Sequence, residues 1–167
     1  MASAVRRTVS SDVVVRPAAP AARPPRIAIV HDWLVPLAGA ELVLQDLLIA
    51  FPQAQIFTLL EQMRAEDRAT IGVARSGELA ADAGAPVPNT SFLQRIPGIG
   101  RRYRSFLPLM PAAIRGLDVS AFDLVISNSH AVAKGIRTHA GQLHLCYCLS
   151  PMRYAWDLRE QYLREAG

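Results

Sequence analysis

With 167 residues, the chain has the length of one domain rather than several. Hydrophobic residues make up 51%, enough for a sizeable core, whereas charged residues are only 19%, so some apolar surface is expected to face another domain or a membrane interface. The formal charge of +4 is mild; no zinc-finger or nucleic-acid recognition pattern accompanies it, and no run of 18 apolar residues is present to span a bilayer.

Residues 1–25 are dominated by Ala, Pro, Ser and Arg, including Arg6, Arg7, Arg16 and Arg23. This composition reads as a disordered tail, with order beginning near Arg26 and one domain filling 26–167. The apolar VVV at 13–15 is too short for a signal-peptide core, which leaves the cytoplasm as the expected compartment. Association with the inner face of a membrane remains compatible with the sequence.

RIAIV at 26–30 predicts a strand. A loop with Pro36 and Gly39 follows, then a helix over 40–51 whose Ala40, Val43, Leu44, Leu47, Leu48 and Phe51 share one face. Pro52 ends it, and QIFTLL at 55–60 predicts the next strand. Strand, helix and strand in this order imply a right-handed crossover and a parallel pair.

The middle is less regular. A short helix over 61–69, a loop over 70–89 and a short helix over 91–98 are the expectations. Residues 103–117 read as helical, with Pro108 and Pro111 bending the helix, splitting it, or opening a second one. FDLVISN at 122–128 predicts a strand, 129–136 a short helix, 142–149 another strand and 150–166 a helix capped by Ser150 with Pro151 at its first position. The sum is an α/β fold: a Rossmann-like, mostly parallel sheet with flanking helices. Cys146 and Cys148 share one face of the last strand, which suits buried thiols in a reducing compartment better than a disulfide. No second cysteine pair or carboxylate cluster joins His144, so no metal is expected.

Three loops follow predicted strands, where open parallel sheets bind ligands. In the first, Ala38, Gly39 and Ala40 either let backbone N–H groups approach a phosphate or simply make a tight turn. His31 and Trp33 in the same segment are either packing residues or one wall of a cleft. In the second, Ser127 to Ser129 can cap the following helix, and His130 and Lys134 would share a face of it. There Lys134 suits a phosphate and His130 a sugar hydroxyl. In the third, Arg153, Tyr154, Trp156 and Asp157 suit a polyhydroxylated ligand, the rings packing on a sugar face and the polar groups taking hydroxyls. Tyr154 and Trp156 equally serve to anchor the helix.

The segments IAIVHDWLVPLAGAE, FPQAQIFTLL, NTSFLQRIPG, YRSFLPLMPAAI, FDLVISNSHAVAKGI and HLCYCLSPMRYAWDL, spread over residues 26–160, are specific enough to compare with a family. Together they resemble the N-terminal part of retaining glycosyltransferases of family 4, which have the two-domain GT-B architecture, and within them bacterial mannosyltransferase-like enzymes of polysaccharide assembly. The resemblance implies an acceptor-side domain and a nucleotide-sugar donor such as GDP-mannose. It also implies a glycan or lipid-linked acceptor and no metal or other cofactor. By the same resemblance Ala38, Gly39 and Ala40 face the donor diphosphate, and His31, Trp33, His130, Lys134, Arg153, Tyr154 and Asp157 line or shape the cleft.

Two positions depart from the family pattern. Ala38 stands where relatives often have glycine, and its methyl group restricts positive φ. Leu149 stands where they commonly have a histidine associated with the reaction centre, and leucine neither donates a hydrogen bond nor carries charge. The resemblance also leaves the C-terminal donor domain and the closing strand-and-helix unit of the N-terminal domain without counterparts among these residues. The expectation is a chain inactive alone that works with a donor-domain polypeptide. The alternative is a non-catalytic binding subunit that keeps the acceptor-side fold. Nucleic-acid binding has only the basic tail in its favour.

Overall fold

The computed structural model describes residues 23–75 and 85–150. The 1–22 part of the expected tail, the middle of the 70–89 loop and the expected helix at 150–166, apart from Ser150, lie outside these residues. Five strands form one sheet: β1 (Ile27–His31), β2 (Gln55–Thr58), β3 (Asn89–Thr90), β4 (Leu124–Ser129) and β5 (Leu143–Cys148). Their order is β3-β2-β1-β4-β5, and every neighbouring pair is parallel. The chain is therefore an α/β protein with a Rossmann-like sheet. Among the described residues four α-helices accompany it: α1 (Gly39–Ala50), α2 (Ala65–Ile71), α3 (Ile99–Arg102) and α4 (Met110–Arg115).

The period of two along each strand sorts side chains to two cores. Ile27 and Ile29 of β1, Ile56 of β2 and Ile126 of β4 join Leu44 of α1 and Ile71 of α2 on one face. Val43, Leu47, Leu48 and Phe51 of the predicted α1 stripe are half-buried. On the opposite face Ala28, Val30, Phe57 and Val125 pack against Leu93, Ile99, Tyr103, Met110 and Ile114. β1 is buried along its whole length because it lies mid-sheet with a core on each side.

Several irregular stretches have identifiable causes. Pro108 falls within a 3-10 stretch, Tyr103–Leu109, and Pro111 sits in the first turn of α4, where its missing N–H costs no helical bond. Of the alternatives for this segment, the split is observed, and Pro111, but not Pro108, lies in the first turn of the second helix. The expected helix at 91–98 is a single 3-10 turn, Phe92–Arg95, capped by Ser91 Oγ, which accepts from Leu93 N. Gly72 and Gly98 have φ of 69° and 70°, the left-handed region that suits glycine, and they end α2 and precede α3.

Two expectations are corrected. Residues 129–136 do not form a helix; only a 3-10 turn, Ala133–Gly135, occurs. Cys146 and Cys148 share a strand face as expected, but both thiols are free and exposed rather than buried. β5 is the outer strand, and on its other face Leu143, Leu145 and Tyr147 are 59%, 48% and 51% exposed.

The chain just before β1 is ordered by a charged contact. Arg23 donates from both terminal nitrogens to Asp123, at 2.8 and 2.9 Å, and Arg26 N donates to the same carboxylate at 2.8 Å. The Arg23 guanidinium and then the Arg26 N–H hold the Asp123 carboxyl down at about 2.

Candidate site at the carboxyl end of β1 and β4

In the strand order 3-2-1-4-5, the connections leave β1 in opposite directions, and the crevice at such a switch point is where open α/β sheets bind ligands. Here that point lies between the ends of β1 and β4, where His31 pairs in register with Asn128. Both side chains point toward α1 and are fully buried. Asn128 Nδ2 donates to Ala40 O at 2.8 Å and lies 3.3 Å from His31 Nδ1. With Nδ1 accepting from that amide, the network assigns the His31 proton to Nε2, which faces Glu41 Oε1 at 3.2 Å. The other Glu41 oxygen accepts from Ala38 N at 2.9 Å. Glu41 therefore fixes the start of α1 and the ring of His31 with one buried carboxylate.

One residue further along, Asp32 points to the opposite face and is fully buried. Its two oxygens accept backbone N–H bonds from His130, Ala131, Val132 and Ala133, at 2.7, 2.9, 2.7 and 2.6 Å. Ser129 Oγ adds a bond to Asp32 Oδ1 at 3.4 Å and accepts from Lys134 N at 3.2 Å. The turn after β4 thus wraps around a carboxylate, which is why those N–H groups do not start a helix. His130 Nδ1 also lies 3.0 Å from Asp32 Oδ2. This is ion-pair distance, and among the described residues Nδ1 makes no aligned hydrogen bond. Burial works against ionisation of Asp32, but the His130 ring and the surrounding N–H groups outweigh it and hold the carboxyl at about 2.

The residues singled out from sequence are distributed as follows. His31 is in the interior and lines no open cleft. Trp33, 7% exposed, is a core residue, with its ring 5.3 Å from Tyr103 and edge-on to His130 at 4.7 Å between centroids. Both rings are therefore packed in the interior. Ala38 has φ −145° and ψ −168°, so its methyl group meets no conformational penalty. Gly39 and Ala38 are exposed, and nothing lies within 4 Å of where a Gly39 side chain would begin. The backbone at the start of α1 is therefore open to an approaching group, with Ala40 half-buried behind it.

His130 is 23% exposed at its side chain while its Nδ1 is buried, so the accessible part is the remainder of the ring. Lys134 is exposed, but without the helix it shares no helical face with His130. Leu149 is half-buried, and its N–H donates to Ser129 O at 3.0 Å, which brings this position to the same sheet edge. Arg153, Tyr154 and Asp157 lie outside the described residues.

Sequence reasoning did not single out Asp32, Glu41 or the ligating role of Asn128. Glu41, three residues after Ala38, carried a readable signal as a helix-start acid. Asp32 carried none beyond its place after a strand, because its partners lie about 100 residues away. Ser127 was read as a possible cap but lies within β4, with its Oγ 2.8 Å from His144 Nε2 on β5.

Two concave cavities, of about 340 and 390 Å³, lie elsewhere, one around Arg115, Asp118 and Arg137 and the other between α1 and α2. Among the described residues no group of three or more His, Cys, Asp or Glu is placed to hold a metal, and no helix is long and apolar enough to cross a membrane. No protein-family model, curated protein or solved structure matches the chain.

Proposed function

We propose that this chain forms the acceptor-side wall of a retaining sugar-transfer cleft, in the manner of the family 4 glycosyltransferases that its segments resemble. The observation that carries the reading is the buried polar cluster at the β1/β4 switch point, with the partly open His130 ring and the open backbone at Gly39 above it. Asp32, Glu41 and Asn128 are consumed in holding that edge rigid, so they are positioning groups. The His130 ring is the group available to a sugar hydroxyl, and the exposed start of α1 is suited to an anionic oxygen.

Transfer requires a second wall. Charge developing on a departing nucleoside diphosphate needs donors fixed around it, and an open sheet edge supplies them on one side only. A donor-binding domain or polypeptide is accordingly the expected partner, with GDP-mannose the first donor to try and a glycan or lipid-linked glycan the acceptor. The chain alone should bind a mannose-containing acceptor weakly, with NMR shifts concentrated at Gly39, His130 and Leu149, and should transfer no sugar from GDP-mannose. Shifts confined to other regions, or efficient transfer by the pure chain, would overturn the proposal.

Leu149 favours a second reading, a non-catalytic binding subunit, because it places an apolar side chain at the edge where relatives carry an imidazole. Leu149→His separates the two. Increased transfer with a donor-domain partner supports the enzymatic half-site, and no change supports the binding subunit.

A further inference from the structure

The loops that lead into β4 and β5 lie at the amino end of the sheet, about 17 Å from the Ser129 end of β4 along its six residues. Between them is a concave cavity of about 340 Å³. Leu117 and Val119 line it and belong to the core beneath, so its floor is fixed. Gln142 ties the two loops together. Its Nε2 donates to Val119 O at 2.6 Å and to Phe122 O at 2.8 Å, and its Oε1 accepts from His139 N at 3.0 Å. His139 completes the same wall, with Nδ1 accepting from Gly141 N at 3.1 Å and Nε2 3.3 Å from Ser120 O, which assigns its proton to Nε2. Gln142 and His139 are thus engaged in holding the cavity's shape. Two charged groups are not. Arg115, the last residue of α4, and Arg137, which follows the buried Ile136, both line the cavity and are exposed, and among the described residues neither pairs with a carboxylate. Asp118 is the one carboxylate in the lining, and its own loop engages it, with Ser120 N donating to Oδ1 at 2.9 Å.

We propose that this cavity binds a small phosphate monoester, with the Arg115 and Arg137 guanidinium groups on the phosphoryl oxygens and the Thr138 hydroxyl toward the organic part. Arginine stays charged and binds phosphate oxygens through paired N–H donors, so two guanidinium groups suit a dianion. The cavity is larger than a phosphate ion and has the size of a small-molecule site, which points to an organic group carried with the phosphoryl. Asp118 in the same lining repels a second anionic group, so that organic part is uncharged. The cavity and the β1/β4 edge lie at opposite ends of the sheet, and this inference stands independently of any role in sugar transfer.

NMR titration of the full chain with glycerol 3-phosphate tests it, with inorganic phosphate and glycerol as comparison probes. Saturable shifts are expected at Arg115, Gly116, Arg137 and Thr138, with a dissociation constant on the order of 1 mM. Inorganic phosphate should bind the same residues more weakly, and glycerol should not bind. Arg115→Gln and Arg137→Gln should each weaken binding about tenfold or more. Both side chains are exposed, and an unchanged thermal transition confirms that the variants are folded. Asp118→Asn keeps an acceptor for Ser120 N and removes the repulsion, so it should tighten binding about twofold to fivefold. Shifts centred on Gly39 and His130 instead, or full retention of binding by both arginine variants, would overturn the proposal. Inorganic phosphate binding as tightly as glycerol 3-phosphate, or weaker binding by a folded Asp118→Asn variant, would also overturn it.

Discussion

The turns that follow β1 and β4 meet the same problem, how to satisfy backbone N–H groups at the end of a buried strand, and meet it with carboxylates from different distances. After β1, Glu41 reaches back three residues to Ala38 N and leaves the neighbouring Gly39 backbone open. After β4, Asp32 arrives from another strand and takes four consecutive N–H groups. A turn of successive N–H groups is ordinarily a receptor for an external anion. Here the second one is already filled from within, and only the first is left for a ligand. A phosphate or hydroxyl reaching this edge would therefore be received at the start of α1 and by the His130 ring, not by the 130–133 backbone.

The largest consequence of this difference falls on Asp32. Asp32→Ala strands several buried N–H groups at once, and a loss of about 3–5 kcal/mol is expected in chemical denaturation. Acid gives the same lesson without mutation. The Asp32 carboxyl is held at about 2, below its ordinary value of 3.8. Its contribution is therefore fully present above about pH 4 and lost as the pH falls through 2. Roughly 2–3 kcal/mol of stability should disappear across that window, and Asp32→Asn should flatten the profile. A wild-type profile unchanged by Asp32→Asn would show that another group governs the acid transition.

Glu41→Gln comes next. It keeps an acceptor for Ala38 N but removes the charge facing His31, and about 1–2 kcal/mol is expected from thermal or urea unfolding. Loss equal to that of Asp32→Ala would mean that the local and the distant carboxylate are equally important. Gly72→Ala forces a side chain into the left-handed region at φ 69°, at a cost of about 1–2 kcal/mol. Gly39→Ala should have the smallest effect and the opposite sign. Its φ is not positive and its surroundings are empty, so alanine is expected to stabilise by about 0.4–1 kcal/mol while narrowing access to the α1 backbone. A destabilised Gly39→Ala would show that the loop before α1 is tighter than its surroundings indicate.

What was legible in the sequence is what local periodicity controls. β1, α1, β2, β4 and β5 fall close to their expected ranges because alternating or helical apolar patterns persist for several residues. β3 has only two residues, Asn89 and Thr90, too few to show a period. The turn at 129–136 was misread for a different reason. Ser129, His130 and Lys134 have the composition of a capped helix, yet the N–H groups of this stretch go to Asp32, which no local window contains. The exposed cysteines of β5 follow the same logic: an apolar run indicates a strand, but whether it is covered depends on its place in the sheet.

The pairing of Asp32 with the 130–133 turn also sets an order of events during synthesis. β1 is the middle strand, but its second neighbour, β4, begins at Leu124. At about 5–20 residues per second, roughly 5–20 s separate their emergence from the ribosome. During that interval β1 presents an unpaired edge of apolar residues, and the Asp32 carboxylate has none of its eventual partners. Chaperone occupancy of the nascent chain should therefore be highest before β4 appears and fall once it does. A slower ribosome would prolong the period in which this chain is most prone to aggregate.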